Sequence, residues 1–442
     1  MRLFIAVLAM IGWCSAAIAQ DDPARTLFTN VHVFDGVSGE RIENANVLIE
    51  GNLIKSVSTD PIDAANATVI DGGGRTLMPG LIDAHVHISW VISSPYAMFD
   101  APPDYKAALM LAEAEATLMR GFTSVRDTTG QVLGAKRAID EGLFPGPRIW
   151  ASGAGISMTA GHGDFRYLST PPRQMGGLAE SEAERIGLIA FADGVPEVLT
   201  ASRDQMRKGA HFLKMFTSGA VSGLRDPLDI AEYSFDEIKA AADEAKRWNT
   251  YLAVHSYNDK GTRLALEAGA MAIEHGNLMT DETMKLAAEK GAFLSTQTGV
   301  FLSAPPADWN ADQIAKQQAT KEGLDTMFAA AKKYNVKIAL GTDLVGPPLV
   351  KAEQSKELSN RLPWFTPAEI LTQATANNGE LLAMSGPRNP YPGKLGVIEE
   401  GALADILLVN GNPMEDLTLF HNPEENLSLI MKDGKVYKNT LN

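Results

Sequence analysis

Four histidines, a lysine and an aspartate in this sequence have the types and spacing of a hydrolytic metal centre. His85 and His87 end the apolar run Leu81-Ile82-Asp83-Ala84, and alternation along a strand sends both imidazoles to one side. Two neutral imidazoles converging at a strand's end make half of a metal site. Lys214 lies in Phe212-Leu213-Lys214-Met215-Phe216, His255 closes Tyr251-Leu252-Ala253-Val254-His255, His275 closes Met271-Ala272-Ile273-Glu274-His275, and Asp343 follows Leu340-Gly341-Thr342. The chain has eight histidines, so placing four of them at strand ends with these partners reads as a two-metal hydrolytic centre and not as scattered core histidines.

The elements that must position them follow from hydrophobic period and turn residues. Met78-Pro79-Gly80 is a turn that delivers the chain into the His-x-His strand, as at the start of a new domain. From the Ala- and Leu-rich helix over 106–120 onward, helix and strand alternate. Strands are expected at 122–127, 148–151, 212–216, 251–255, 271–275, 292–295 and 336–340. With the His-x-His strand these make eight, and helices over 235–248, 281–290 and 320–334 fall between them. The expected fold is therefore α/β: a (β/α)8 TIM barrel over 80–390, with reactive groups gathered where its strands end. Residues 157–196 interrupt the spacing with glycines and prolines and read as an insertion that forms a lid or active-site loop. Short strands with Gly and Asn turns occupy both ends of the chain. The N-terminal ones, over 27–33, 45–50, 53–57 and 68–78, read as an antiparallel meander. Flanking a barrel, the two strand-rich ends pair with each other, giving a small composite β-sandwich from 20–79 and 391–442.

Met1-Arg2, the apolar run 3–11 and Ala17-Ile18-Ala19 before Gln20 have the form of an export signal over 1–19. The expected location is therefore the periplasm or the exterior. The one cysteine, Cys14, falls within that signal, so the mature chain lacks a thiol nucleophile, thiolate ligand or disulfide. At 442 residues, 45% hydrophobic and 21% charged, the composition excludes disordered and collagen-like classes. A net charge of −15 argues against nucleic acid or an anionic membrane as partner. A small-molecule amide or short peptide is the expected partner; whether the chain forms a homo-oligomer stays open.

Pro79-Gly80-Leu81-Ile82-Asp83-Ala84-His85-Val86-His87 resembles the first-strand motif of the amidohydrolase superfamily, and Gly341-Thr342-Asp343 its eighth-strand motif. The tail Gly396-Val397-Ile398-Glu399-Glu400-Gly401-Ala402-Leu403-Ala404-Asp405 is similar to that family's return into its β-sandwich. Lys214 with the downstream His255 and His275 resembles the branch of Xaa-Pro and Xaa-Arg/Lys dipeptidases and ochratoxin-type amidases. The resemblance implies two divalent metal ions, zinc by expectation, with His85, His87 and Asp343 on the more buried one and His255 and His275 on the more exposed one. Lys214 would bridge them as N6-carboxylysine, because a bare ammonium is a poor ligand whereas a carbamate offers two anionic oxygens. A water between the metals would be the nucleophile, with Asp343 carrying its proton to the leaving amine.

The implied reaction is cleavage of an amide or peptide bond to a C-terminal amino acid, by a dipeptidase, a carboxypeptidase or an N-acyl-amino-acid amidase. Deaminases of the superfamily carry His-x-x-Glu after the fifth strand, whereas His255 here is followed by Ser256, Tyr257 and Asn258. Imidazolonepropionase-like ring opening and a catalytically inactive barrel used as a binding scaffold are the remaining alternatives. His162, in Gly161-His162-Gly163-Asp164, is a candidate for contacting the substrate carbonyl or carboxylate, and Tyr257 for a hydrogen bond to the tetrahedral intermediate. Arg126 and Asp127 end the second strand and read as a structural pair. His32, His211 and His421 read as structural or surface residues.

Overall fold

The computed structural model describes residues 23–92 and 94–441; the expected signal over 1–19 lies outside the described residues. The strands, in chain order, are β1 Arg25–Val33, β2 Ile42–Glu50, β3 Leu53–Ser58, β4 Thr68–Pro79, β5 Leu81–Val86, β6 Phe122–Asp127, β7 Arg148–Ala151, β8 Gly155–Ser157, β9 Ile189–Phe191, β10 Leu213–Phe216, β11 Leu252–Asn258, β12 Ala272–Leu278, β13 Phe293–Thr296, β14 Ile338–Leu340, β15 Ile406–Val409, β16 Leu427–Lys432 and β17 Lys435–Asn439. All eight expected barrel strands form, and every pairing among them is parallel. The α/β expectation of a barrel with an added sheet domain holds.

Two seams close the barrel by other means than long ladders. Between β14 and β5, the Thr342 and Asp343 amides donate to the His85 carbonyl at 3.3 and 2.8 Å. Lower down, the Asn378 side-chain amide donates to Ile82 O at 2.6 Å and to Leu340 O at 2.8 Å. Asn378 follows a π-helical turn, Gln373–Asn377, that lies between the α-helical segments Pro367–Thr372 and Asn378–Ala383. The third stave is also split. β7 pairs with β6, the chain bends at Gly153 (φ +71°), and β8 pairs with β10 on one side and β9 on the other. β9 belongs to the 157–196 insertion, and at three residues it is too short to leave a period in the sequence.

The helices are set by their caps and apolar stripes. Phe235–Arg247 begins with a Ser234/Glu237 capping box, carries Lys246 and Arg247 in its last turn, and buries Ile238, Ala241, Ala242 and Ala245 at helical spacing. Glu237 also accepts the Gly194 amide at 2.7 Å, which fastens the end of the insertion. Ala311–Lys333 starts earlier than its apolar period suggests, because Asn310 and Gln313 form a capping box upstream. Those extra turns reach the segment over 217–232 through Gln313 and Lys316.

Both chain ends build one seven-stranded sheet, in the order β17-β16-β15-β4-β1-β2-β3. The antiparallel meander holds for β1, β2 and β3, but β4 lies parallel to β1 and not antiparallel. The other edge of β4 pairs antiparallel with β15 and so receives the C-terminal strands. One face of this sheet encloses Phe28, Val31, Val47, Leu408 and Met431, and the other packs Met78, Leu407 and Ile430 against the barrel. Among the described residues no helix is long and apolar enough to cross a membrane.

Candidate metal centre

Inside the barrel the layers can be followed upward from one end. At the bottom, Ile82, Ala84, Trp150, Phe212, Ala253, Ala272, Phe293 and Ala339 point inward and form an apolar plug. Above it Arg126, fully buried, donates to Ala84 O and to Glu274 Oε1, both at 2.6 Å, and to Ser295 Oγ at 3.2 Å. The expected Arg126–Asp127 pair does not form. Neighbours on a strand face opposite sides, so Asp127 turns away from the lumen and accepts the Ile88 amide at 2.7 Å.

The third layer holds the six candidate ligands. Lys214 and His255 reach it by plain alternation from Phe212 and Ala253. His85 does not, because Ile82 and Ala84 already face inward. A register shift between Asp83 and Val86 re-aims the strand, so that His85 and His87 both enter the lumen. Asp83 stays outside and secures the turn, accepting the amides of His85 and Thr342 at 3.1 Å each and the Thr342 hydroxyl at 2.6 Å. On β12 the inward residue is Glu274; His275 joins it only by taking a left-handed conformation, φ +76°, and Asp343 does likewise at φ +54°. Backbone strain of this kind, at non-glycine residues, collects at functional sites.

His85 Nε2 and His87 Nε2 lie 3.3 and 2.9 Å from Asp343 Oδ1. One ligand atom from each of the three lies within 4.8 Å of the others, a spacing that suits a single cation. Opposite them His275 Nε2 faces His255 Nδ1 at 2.8 Å. The rings of His85 and His275 are 5.3 Å apart, so the two groups adjoin. Among the described residues, Lys214 Nζ is buried with no hydrogen-bond partner, as is His255 Nε2. A buried unpaired ammonium is costly, and burial pushes Lys214 down to about 8 against the pull of Glu274 and Asp343. Its charge in turn helps to lower His255 and His275, although burial is the larger cause in both; His275 stands at about 3. Burial pushes the Asp343 carboxyl up, but His85 and His87 more than reverse that and hold it well below the usual range. Burial also lowers His87, whereas at His85 Asp343 and Glu274 more than reverse the effect of burial and raise it. Four imidazoles, an ionised carboxylate and a lysine unpartnered among the described residues make a donor set that fits divalent cations.

Two further side chains orient this set and were not singled out from the sequence. Glu274 Oε2 accepts from His85 Nδ1 at 2.8 Å, and Gln297 Oε1 accepts from His275 Nδ1 at 2.7 Å. Each bond fixes the proton on Nδ1 and leaves Nε2 as the donor atom. Gln297 sits at the end of the seventh stave, where position alone could have marked it; Glu274 directly precedes His275, and alternation along a strand would send only one of two neighbours into the lumen.

His162 is brought to the site: its ring stacks on His255 at 4.7 Å and 13°. Tyr257 stacks on His275 at 4.4 Å and 11°. A chain of ring contacts runs from His87 through Trp90 and Phe165 to His162, so the β5 loop and the insertion arch over the histidines. Phe216, Tyr257 and Phe301 line the other side. His32, His211 and His421 lie elsewhere; His211 accepts the Ala151 amide at 2.9 Å and His421 meets Ser359 at 2.8 Å.

A model of the amidohydrolase family matches residues 76–438. Ochratoxinase from Aspergillus niger is 31% identical over 438 residues, spanning 95% of this chain and 88% of that protein. Imidazolonepropionase from Deinococcus radiodurans is 26% identical over 398 residues, spanning 85% of this chain and 88% of that one. The crystal structure of a prolidase complexed with N-methylphosphonate-L-proline is similar at a TM-score of 0.85 and 32% identity, covering 94% of this chain and all of that one.

Proposed function

This chain belongs to the amidohydrolase family and is a hydrolase of carbon–nitrogen bonds; from that premise we propose that it releases a C-terminal amino acid from a dipeptide or an N-acyl amino acid. The observation that carries this reading is the convergence of His85, His87 and Asp343 with His255 and His275 around an unpartnered, buried lysine. Ochratoxinase and the prolidase, both at 30% identity or above, support an amide substrate over the ring-opening alternative suggested by imidazolonepropionase.

In this reading His85, His87 and Asp343 hold one divalent cation, His255 and His275 a second, and the N- and O-donor set suits zinc. When bound, such ions acidify water and polarise a scissile carbonyl. The chain's own residues supply the rest. With Lys214 held at about 8, a fraction of it is the neutral amine near neutral pH. Its lone pair forms a bond to the carbon of CO2 and its proton leaves to solvent, giving a carbamate with two anionic oxygens. Asp343, held ionised, accepts the proton of the attacking water and returns it to the leaving amine. Glu274 and Gln297 keep the histidine tautomers in register. The aromatic arch of Trp90 and Phe165 excludes water and favours bulky apolar groups beside the scissile bond. The reading includes export: the charged start, the apolar run over 3–11 and Ala17-Ile18-Ala19 support a signal cleaved near Gln20 and an activity outside the cytoplasm.

Assay of the purified protein on a panel of dipeptides, N-acyl amino acids and phenylalanine amides tests the reading. Release of a free C-terminal amino acid, lost on chelation and restored by zinc, is expected; Asp343→Asn should lower turnover by at least about 100-fold. Ring opening of a cyclic amide with no release of amino acid would overturn it. Metal content without turnover on any amide would favour the scaffold alternative.

A further inference from the structure

His162 reaches the site from a loop, and two acidic side chains on a second loop hydrogen-bond to it, one at the ring and one at the backbone amide. The insertion over 157–196 and the segment over 217–232, which follows the lysine-bearing β10, interlock above His255. His162 Nδ1 donates to Asp226 Oδ2 at 2.8 Å, and the same oxygen accepts the Ala220 amide at 2.9 Å. The His162 backbone amide donates to Glu232 Oε1 at 2.7 Å. Arg225 donates to Arg166 O at 3.0 Å and so ties the loops a third time.

The arrangement is built for close approach. A Cβ at Gly223 would lie 1.7 Å from Asp226 Oδ1, one at Gly161 2.6 Å from Glu232 Oε2, and one at Gly219 2.1 Å from Pro227 O. The segment is held from outside as well: Lys316, on the early turns of Ala311–Lys333, donates to Gly223 O at 3.0 Å and to Asp226 O at 3.2 Å, and Gln313 donates to Ser222 O at 2.8 Å. Asp226 and Glu232 are 4% and 2% exposed, and Glu232 Oε2 has no partner among the described residues. Burying two carboxyls costs stability that only their hydrogen bonds and charge partners can offset. Burial pushes Asp226 up, and its bond to His162 more than reverses this, so it is an anion; burial pushes Glu232 well above the carboxylate range, so it is neutral.

We propose that Asp226 and Glu232 are positioning residues that hold the His162 ring flat on His255, with Nε2 presented to an oxygen of the substrate. A carboxylate at Nδ1 requires a proton there, which fixes the ring's orientation and leaves Nε2 as the atom that meets substrate. Glu232 anchors the backbone of the same residue, so ring and main chain are each set by one acid. The inference rests on the reading of His162 as a substrate contact.

A double-mutant cycle tests it on the metal-loaded enzyme, with the best amide from the panel as probe. Asp226→Asn, nearly isosteric, should lower kcat/KM by about 10- to 100-fold, the usual effect of removing a group that orients a functional histidine. Zinc content and thermal midpoint should stay within error. In the His162→Ala background, Asp226→Asn should cost no further activity, a result that general damage to the loop would not give. Glu232→Gln, which keeps the bond to the His162 amide, should retain activity near wild type, whereas Glu232→Ala should behave like Asp226→Asn. Full activity of Asp226→Asn beside an impaired His162→Ala, or additive losses in the double variant, would overturn the proposal alone. Unchanged kinetics of His162→Ala would overturn the substrate-contact reading and the proposal with it.

Discussion

Glu274 serves two neighbours at once: one oxygen meets the Arg126 guanidinium and the other meets His85, all three without solvent. Removing its charge leaves Arg126 buried and uncompensated. Glu274→Gln should therefore destabilise the protein by about 3–5 kcal/mol, read as a lower urea midpoint of the metal-free chain; an unchanged midpoint would show that the ion pair does not support the fold. His211 is a second buried group with a clear sign. Burial holds its imidazole at about 4 against an ordinary 6.5. At pH 7 both folded and unfolded forms are neutral. As pH falls through 6.5 the unfolded chain takes up the proton first, so up to about 3 kcal/mol of stability drains away by pH 4. His211→Asn, which keeps an acceptor for the Ala151 amide, should flatten stability between those two values; an unaltered slope would assign the acid lability elsewhere. Sequence exposed the ligand residues because histidines are few and sat at strand ends. It hid Asp226, which lies in a loop with no period, and mispaired Arg126 with Asp127, where chain adjacency competed with alternation and lost.

The strands that carry the ligands are distorted where they must be. β5 bulges between Asp83 and Val86, β12 and the turn after β14 take left-handed φ, and β14 meets β5 through a glycine that leaves no room for a side chain. A Cβ at Gly341 would lie 2.6 Å from the His85 Cβ. Gly341→Ala should push His85 away from Asp343 and lower zinc affinity by about 10-fold or more, as displaced ligand geometry does, with the circular dichroism of the fold kept. Wild-type affinity in that variant would show that this seam does not position His85. The existence and order of the eight staves were legible from period and turn residues. Their irregularities were not, since a bulge and a split stave are decided by contacts with neighbours: the bend at Gly153 frees β8 to pair with β9, and nothing within 148–157 states this.

The molecule joins its two ends across the barrel, and that too was legible only in outline. Two strand-rich ends had to pair, yet the parallel alignment of β4 with β1 and the pairing of its other edge with β15 are properties of the assembled sheet. Arg148 fastens this sheet to the barrel: it donates to both oxygens of Asp405 at 3.2 Å and to Asp433 at 2.7 Å, so the start of the third stave is tied to the C-terminal strands. The barrel's rigidity lets six residues, spread over 259 positions of the chain, present their ligand atoms together. Together these residues form the proposed two-metal centre around a modified Lys214. The most direct measurement is zinc per chain, by mass spectrometry of the metal, in wild type and in Lys214→Ala prepared side by side with bicarbonate. About two ions per chain in wild type and about one in Lys214→Ala are predicted, with turnover of the variant partly restored by added formate or acetate. One ion per chain in both proteins, with an unmodified Lys214 in fully active wild type, would contradict it.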